Sequence, residues 1–179
     1  MPNTHHEQLA EISAQLTGLS SELTRISGLA STALRGAAQT LLCADLSLAQ
    51  RVSGECELIA AMSVRAQRAA FKVLTLQAPG AGDVRVIVTA IQIVADLDRM
   101  GTLALHIAAM AHRRQLEHAV SLDCVDQVAE MGRVAAELGH MAQAVPVSGD
   151  PQPAAKCNAD RDARGSAARH RFTSLTDAP

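Results

Sequence analysis

Hydrophobic positions near the start of the chain fall alternately three and four residues apart. Leu9, Leu16 and Leu23 are seven apart, and Ile12, Leu19 and Ile26 run beside them. A helix with 3.6 residues per turn places such a set on one face. Ala30 and Ala33 continue the register with smaller side chains. The pattern predicts one long bundle helix, because three heptads only reach the lower limit for a coiled coil. Gly18, Gly28 and Gly36 interrupt it. Each costs about 1 kcal/mol against Ala in a helix interior, so a bend or break is expected near one of them.

Asp45 follows the apolar pair Leu41 and Leu42 and reads as the N-cap of a second helix, Leu46 to Gln77. Its apolar set includes Leu48, Val52, Ile59, Met62, Ala66, Ala69, Val73 and Leu76, spaced three, four and seven apart. Pro79, Gly80 and Gly82 then make the strongest break in the body of the chain. Asp83 opens the next apolar pattern, where a carboxylate suits a helix N-terminus. The third helix is expected from Val84 to Arg113. Its β-branched centre, Val86 to Ala95, resembles a strand, but the helical spacing persists far beyond strand length. A fourth helix is predicted from Asp123 to Val145, with Val125, Val128, Met131, Val134, Ala135, Leu138 and Met141 as its apolar face. From Pro146 onward, four of the six prolines fall among 34 residues whose large apolar side chains are only Val147, Phe172 and Leu175. Such a segment cannot offset the entropy of ordering it, so a disordered tail is expected. The domain reading is therefore 1–113, a three-helix bundle; 114–145, a fourth helix; and 146–179, a low-complexity tail.

Composition narrows the function. Aromatic residues make up 1% of the 179, two Phe with no Trp or Tyr, which argues against an all-β domain and against base stacking. A net charge of −2 provides no basic field for nucleic acid. No apolar run approaches the length of a membrane span, and the polar N-terminus is no signal peptide, so a cytoplasmic protein without membrane insertion is expected. Cys43, Cys56, Cys124 and Cys157 form no C-x-x-C pair, which reads as scattered thiols in a reducing compartment. No P-loop, dinucleotide fingerprint, nucleophile elbow or H-E-x-x-H is present, so the chain reads as a non-enzyme. The charged residues that ask for a reason lie in the third helix. Asp98, Thr102 and His106 are four apart and share a face. Carboxylate and imidazole on such a face suit a transition metal, with Glu55 on the second helix as a facing carboxylate. Solvated surface is the alternative.

Two stretches together carry a resemblance. Leu76 to Arg85, with Pro79, Asp83 and Arg85, resembles one signature of PhoU proteins. Asp98-Arg99-Met100-Gly101-Thr102-Leu103-Ala104 resembles the E-R-M/I-G-D-x-A signature of the same family. Ala44 to Ala49 and Asp150-Pro151 fall where such proteins carry A-D-x-x-L-A and a D-P helix start. The resemblance implies an all-α fold built from PhoU-like three-helix bundles: here the first repeat, plus a fourth helix from an incomplete second repeat. It implies a regulatory adaptor that restrains phosphate uptake and phosphate-starvation signalling by binding the phosphate transporter's ATPase subunit and the phosphate-sensing histidine kinase. Pro79, Asp83, Arg85 and Arg99 are its implied partner-binding residues. Asp98 and Glu55 match positions of the family's acidic metal motif, which is broken at Thr102. No cofactor is therefore required, and a divalent or iron-type metal is the only candidate. The shortened second repeat leaves an apolar face on the fourth helix, from which a loose attachment and a homodimer are expected. Two alternatives follow: a degenerate or dominant-negative remnant, and a metal-binding helical bundle.

Overall fold

The structure, a computed structural model, describes residues 3–75, 80–113, 120, 124–143, 159, 162, 165 and 166. Four helices follow in order: α1 (Asn3–Cys43), α2 (Leu46–Thr75), α3 (Ala81–Arg113) and α4 (Val125–Gln143). The chain is all-α, as the spacing predicts. Pro79 and the expected helix ends at Gln77, Asp123 and Val145 lie outside the described residues. So does most of 146–179, where Ala159, Asp162, Gly165 and Ser166 are helical.

The first helix runs unbroken for 41 residues, so the expected break at a glycine does not occur. Packing on three other helices outweighs the propensity cost. Gly36 has a reason of its own: a Cβ there would lie 2.8 Å from Cγ2 of Val52. The glycine lets α2 approach. The helix ends where Ala44 takes a left-handed φ of 52° and its N–H donates to the Thr40 carbonyl. Asp45 then starts α2. Its Oδ1 accepts the N–H groups of Ser47 and Leu48 at 2.8 and 3.2 Å, and the Ser47 hydroxyl at 2.7 Å. These satisfy donors that a helix N-terminus leaves unpaired. The Ser47 hydroxyl and the Leu48 N–H also hold the Asp45 carboxyl below the usual carboxylate range.

The start of α3 works differently. Gly80 precedes the helix, and its N–H donates to Asp83 Oδ2 at 3.0 Å, while Val84 N–H donates to the Gly80 carbonyl. A carboxylate in the first turn reaching back to the cap residue is half of a capping box.

The core between α1, α2 and α3 is built from Ile26, Val52, Ile59, Met62, Ile87 and Val94, all essentially without solvent contact. Fully burying one such side chain contributes about 1.5–3 kcal/mol. α2 and α3 are antiparallel and close at Gly101, where a Cβ would sit 3.1 Å from Ile59 Cγ2. The buried Cys56 thiol donates to the Gly101 carbonyl at 3.1 Å, and burial pushes that thiol's pKa up. It is thus an inert core thiol, whereas Cys43 is exposed. Ser63, also buried, has a hydroxyl oxygen with no partner.

α4 packs along α1. The side it presents is the small one. A Cβ on Gly132 would collide with Cβ of Ala38, and one on Gly139 with Oγ of Ser31. Ser27 Oγ donates to the Gly139 carbonyl at 3.3 Å. The expectation of a loosely attached helix gives way to a close, small-residue contact. Its large side chains sit further round the helix: Val134 is buried, but Met131 is 43% exposed.

Candidate functional site

The residues singled out from the sequence gather along the α2–α3 hairpin, and helix geometry separates them into two sides. The Cys56–Gly101 hydrogen bond fixes the level and facing of the two helices. Leu48 and Val52 meet Gly36, so one side of α2 is turned to α1. Glu55 is seven residues from Leu48 and shares that α1 side. Asp98 lies about 60° round α3 from Gly101, opposite in sense to the buried Leu97, Ala104 and Ala111. The two carboxylates therefore lie on opposite sides of the α2–α3 contact. Thr102 is exposed, and its hydroxyl donates to the Asp98 carbonyl at 3.1 Å, back onto its own helix. Among the described residues no three His, Cys, Asp or Glu side chains converge to hold a metal ion. Asp98, Thr102 and Glu55 therefore do not converge as a set of metal ligands.

Asp83 is occupied as the α3 cap, so its first role is structural. Arg85 and Arg99 are exposed, and among the described residues neither guanidinium has an ion-pair partner. Fourteen residues separate them, about 21 Å along the axis, with Arg99 only about 40° further round. They mark the outward face of α3. Val88, Leu103 and Met110 are exposed on that same face.

A patch that the spacing within either helix does not mark lies at the end of the hairpin. Phe71 is 56% exposed, and Val64 is also exposed on α2. At about 100° per residue they sit about 60° and 80° round from Cys56, on the side away from Leu48 and Val52. Phe71 is fifteen positions beyond Cys56, which brings it level with about position 86 of the antiparallel α3. There Val84 and Val88 are exposed, and the half-buried Ile91 is one turn on. All three lie on the side of α3 away from Leu97 and Ala104. The outer groove of the hairpin thus has an apolar floor from both helices. Arg68 and Arg85 flank it, one on each helix, each about 60° round from Phe71 and Val88 respectively. Among the described residues neither guanidinium has an ion-pair partner. A lone exposed Phe at an outward helix position was the available signal in the sequence, in a chain with only two aromatic residues.

The opposite groove, between α1 and α2, contrasts with this. It encloses about 410 Å³ over a floor of Ala14, Gly18, Ala66 and Ala69. Its cation, Arg65, faces Glu22 at 3.7 Å, and Glu22 also meets Arg25 at 3.3 Å. Charge there is internally matched, while on the α2–α3 side it is not.

Comparison with known proteins adds to this geometry. The family model for the PhoU domain matches residues 23–111, which run from mid-α1 to the end of α3. The chain is 50% identical over 177 residues to phosphate-specific transport system accessory protein PhoU homolog 2 of Mycobacterium tuberculosis, covering 99% of this chain and 80% of the relative. It is 48% identical to PhoU homolog 1 of Mycobacterium leprae, over 99% of this chain and 77% of that protein. The chain belongs to the PhoU family. PhoU homolog 1 of Mycobacterium tuberculosis is 37% identical over the same share of the chain. No solved structure matches. The PhoU proteins it resembles are named as accessory proteins of phosphate-specific transport rather than as enzymes. In this PhoU-family chain, among the described residues, no helix is long and apolar enough to cross a membrane.

Proposed function

We propose that this chain is a PhoU-type regulatory adaptor: a negative regulator of phosphate uptake and of phosphate-starvation signalling. It acts by binding the phosphate transporter's ATPase subunit and the phosphate-sensing histidine kinase, in the cytoplasm and without catalytic turnover. The observation that carries the reading is the 50% identity to a phosphate-transport accessory protein along nearly the whole chain. The outward face of α3, where Arg85 and Arg99 have no ion-pair partner among the described residues and stand beside exposed Val88, Leu103 and Met110, supports it. Exposed apolar residues rimmed by charge mark interaction surfaces. A homodimer is part of the same reading, supported by the half-covered large face of α4, where Met131 stays exposed.

Co-purification tests it. The full chain is expected to retain the cognate ATPase subunit or the cytoplasmic part of the kinase, with a two-repeat PhoU as positive control. Retention of neither, while the control binds both, overturns the adaptor reading. Light scattering across a concentration series tests the dimer, and a mass fixed at one chain refutes it.

A further inference from the structure

We infer that the outer groove at the end of the α2–α3 hairpin is the docking seat for an acidic amphipathic helix of a protein partner. The inference deepens the adaptor reading and rests on it.

The groove has the form such a helix needs. Its floor is apolar from both banks, with Val64 and Phe71 on α2 and Val84 and Val88 on α3, and all four are exposed. Val64 and Phe71 are two helical turns apart, about 10 Å. A helix laid in a groove presents anchors at that same repeat, through positions i, i+3 or i+4, and i+7. Phe71 is the one exposed aromatic among the described residues, and aromatic anchors carry a large share of binding energy at interfaces.

Charge selects the partner. Arg68 stands on one bank and Arg85 on the other, and neither is paired among the described residues. The carboxylate of Asp83, the acid at this end of α3, already accepts the Gly80 N–H. The seat is thus locally cationic on a chain whose net charge is −2. A helix with carboxylates on both flanks of an apolar stripe meets both banks at once. A second copy of this chain does not fit, because a twofold pairing of the groove would bring the same guanidinium groups together. A bilayer presents one flat anionic plane, whereas these cations stand on two separate helices with an exposed apolar strip between them.

The experiment uses the full chain and the partner, ATPase subunit or kinase, that it retains. Two variants are made, R68E/R85E and Phe71→Ser, with R113E as a control at the far end of α3. All four positions are exposed, and circular dichroism checks that helicity and Tm are kept. Affinity is expected to fall about tenfold or more for each groove variant and to stay within about twofold for R113E. Wild-type binding should also weaken with added salt more steeply than R68E/R85E binding does. If the wild type retains no partner, the adaptor reading fails. If it retains one and both groove variants bind as tightly, the seat is refuted while the adaptor reading stands. Vesicles of phosphatidylglycerol form the last arm: charge reversal that abolishes vesicle binding but spares protein binding would assign the groove to lipid and overturn the proposal.

Discussion

One helix, α1, holds its neighbours in two opposite ways. Towards α2 and α3 it contributes to a core of bulky side chains, among them Ile26, Ile59, Met62 and Ile87. Towards α4 it offers Ser27, Ser31 and Ala38, which meet Gly132 and Gly139. The first contact depends on volume buried, and the second on how closely two backbones approach. Stability in the first comes from apolar area removed from water. In the second it comes from many short-range contacts between facing backbones, with little side-chain entropy to lose. The two contacts should therefore fail under opposite substitutions, large-to-small in one and small-to-large in the other.

The largest expected effect is in the bulky core. Ile59→Ala removes a fully buried side chain that also contacts Gly101. It should cost about 2–5 kcal/mol, read as a lower midpoint in urea for the whole chain. A loss under 1 kcal/mol would show that this core is not what holds the three helices. Next comes the small-residue contact. Gly132→Ala and Gly139→Ala place a methyl against Ala38 and Ser31 with no room for it. Each should cost about 1–3 kcal/mol through overpacking, partly offset by about 1 kcal/mol of helix propensity. Hydrogen exchange is the sharper readout: amides of α4 should lose protection while those of α2 and α3 keep theirs. Equal loss in all helices would dissolve the distinction between the two contacts.

The smallest effect belongs to a helix end that neither contact involves. The Asp45 carboxyl has a lowered pKa in the folded chain. Its stabilisation is thus present above the unfolded value of about 3.9 and is lost as pH falls through the lower folded value. The Tm gap between wild type and Asp45→Ala should be full at pH 6 and shrink steadily below pH 4. A gap that stays constant down to pH 2 would mean the charged cap contributes nothing.

The same contrast explains what could be read from the sequence. The three bulky seams were legible because Leu, Ile, Val and Met recur at helical spacing, and because Asp45 and Asp83 mark two helix starts by side-chain chemistry. Helix α4 was legible as a helix, and part of its contact side with it: of the predicted apolar face, Val134 is buried, and Val128 lies within about 40° of Gly132 and Gly139. What hydrophobic spacing did not mark is that the two glycines make the close approach to α1. A pattern weighted by side-chain size cannot register an interface made by its absence. Glycine in a sequence also reads as a breaker, which is why Gly18, Gly28 and Gly36 suggested a break in α1 that does not occur. At the candidate site, the motif singled out Arg85 and Arg99, and both are exposed. Glu55 was paired with Asp98 because both are acidic and on neighbouring helices. One residue of offset from Cys56 turns it by about 100°, towards α1 instead. Phe71 escaped notice because its partners Val84 and Val88 are on another helix, and only the antiparallel register brings them level.

The hydrogen bond from Ser27 to Gly139 joins residues 112 positions apart, and this bears on how the chain is made. A ribosome adding about 5–20 residues per second needs roughly 5–20 seconds to go from one to the other. For that interval the far side of α1 waits uncovered beside the growing bundle. In the folded chain the Ser31 hydroxyl is bonded to the Ser27 carbonyl of its own helix, a bond that needs no neighbour to form. A side of serine and alanine is wetted easily and offers stray nascent chains little to hold, where leucine would offer much. Small residues thus fit this helix both for its final neighbour and for the delay before that neighbour is synthesised.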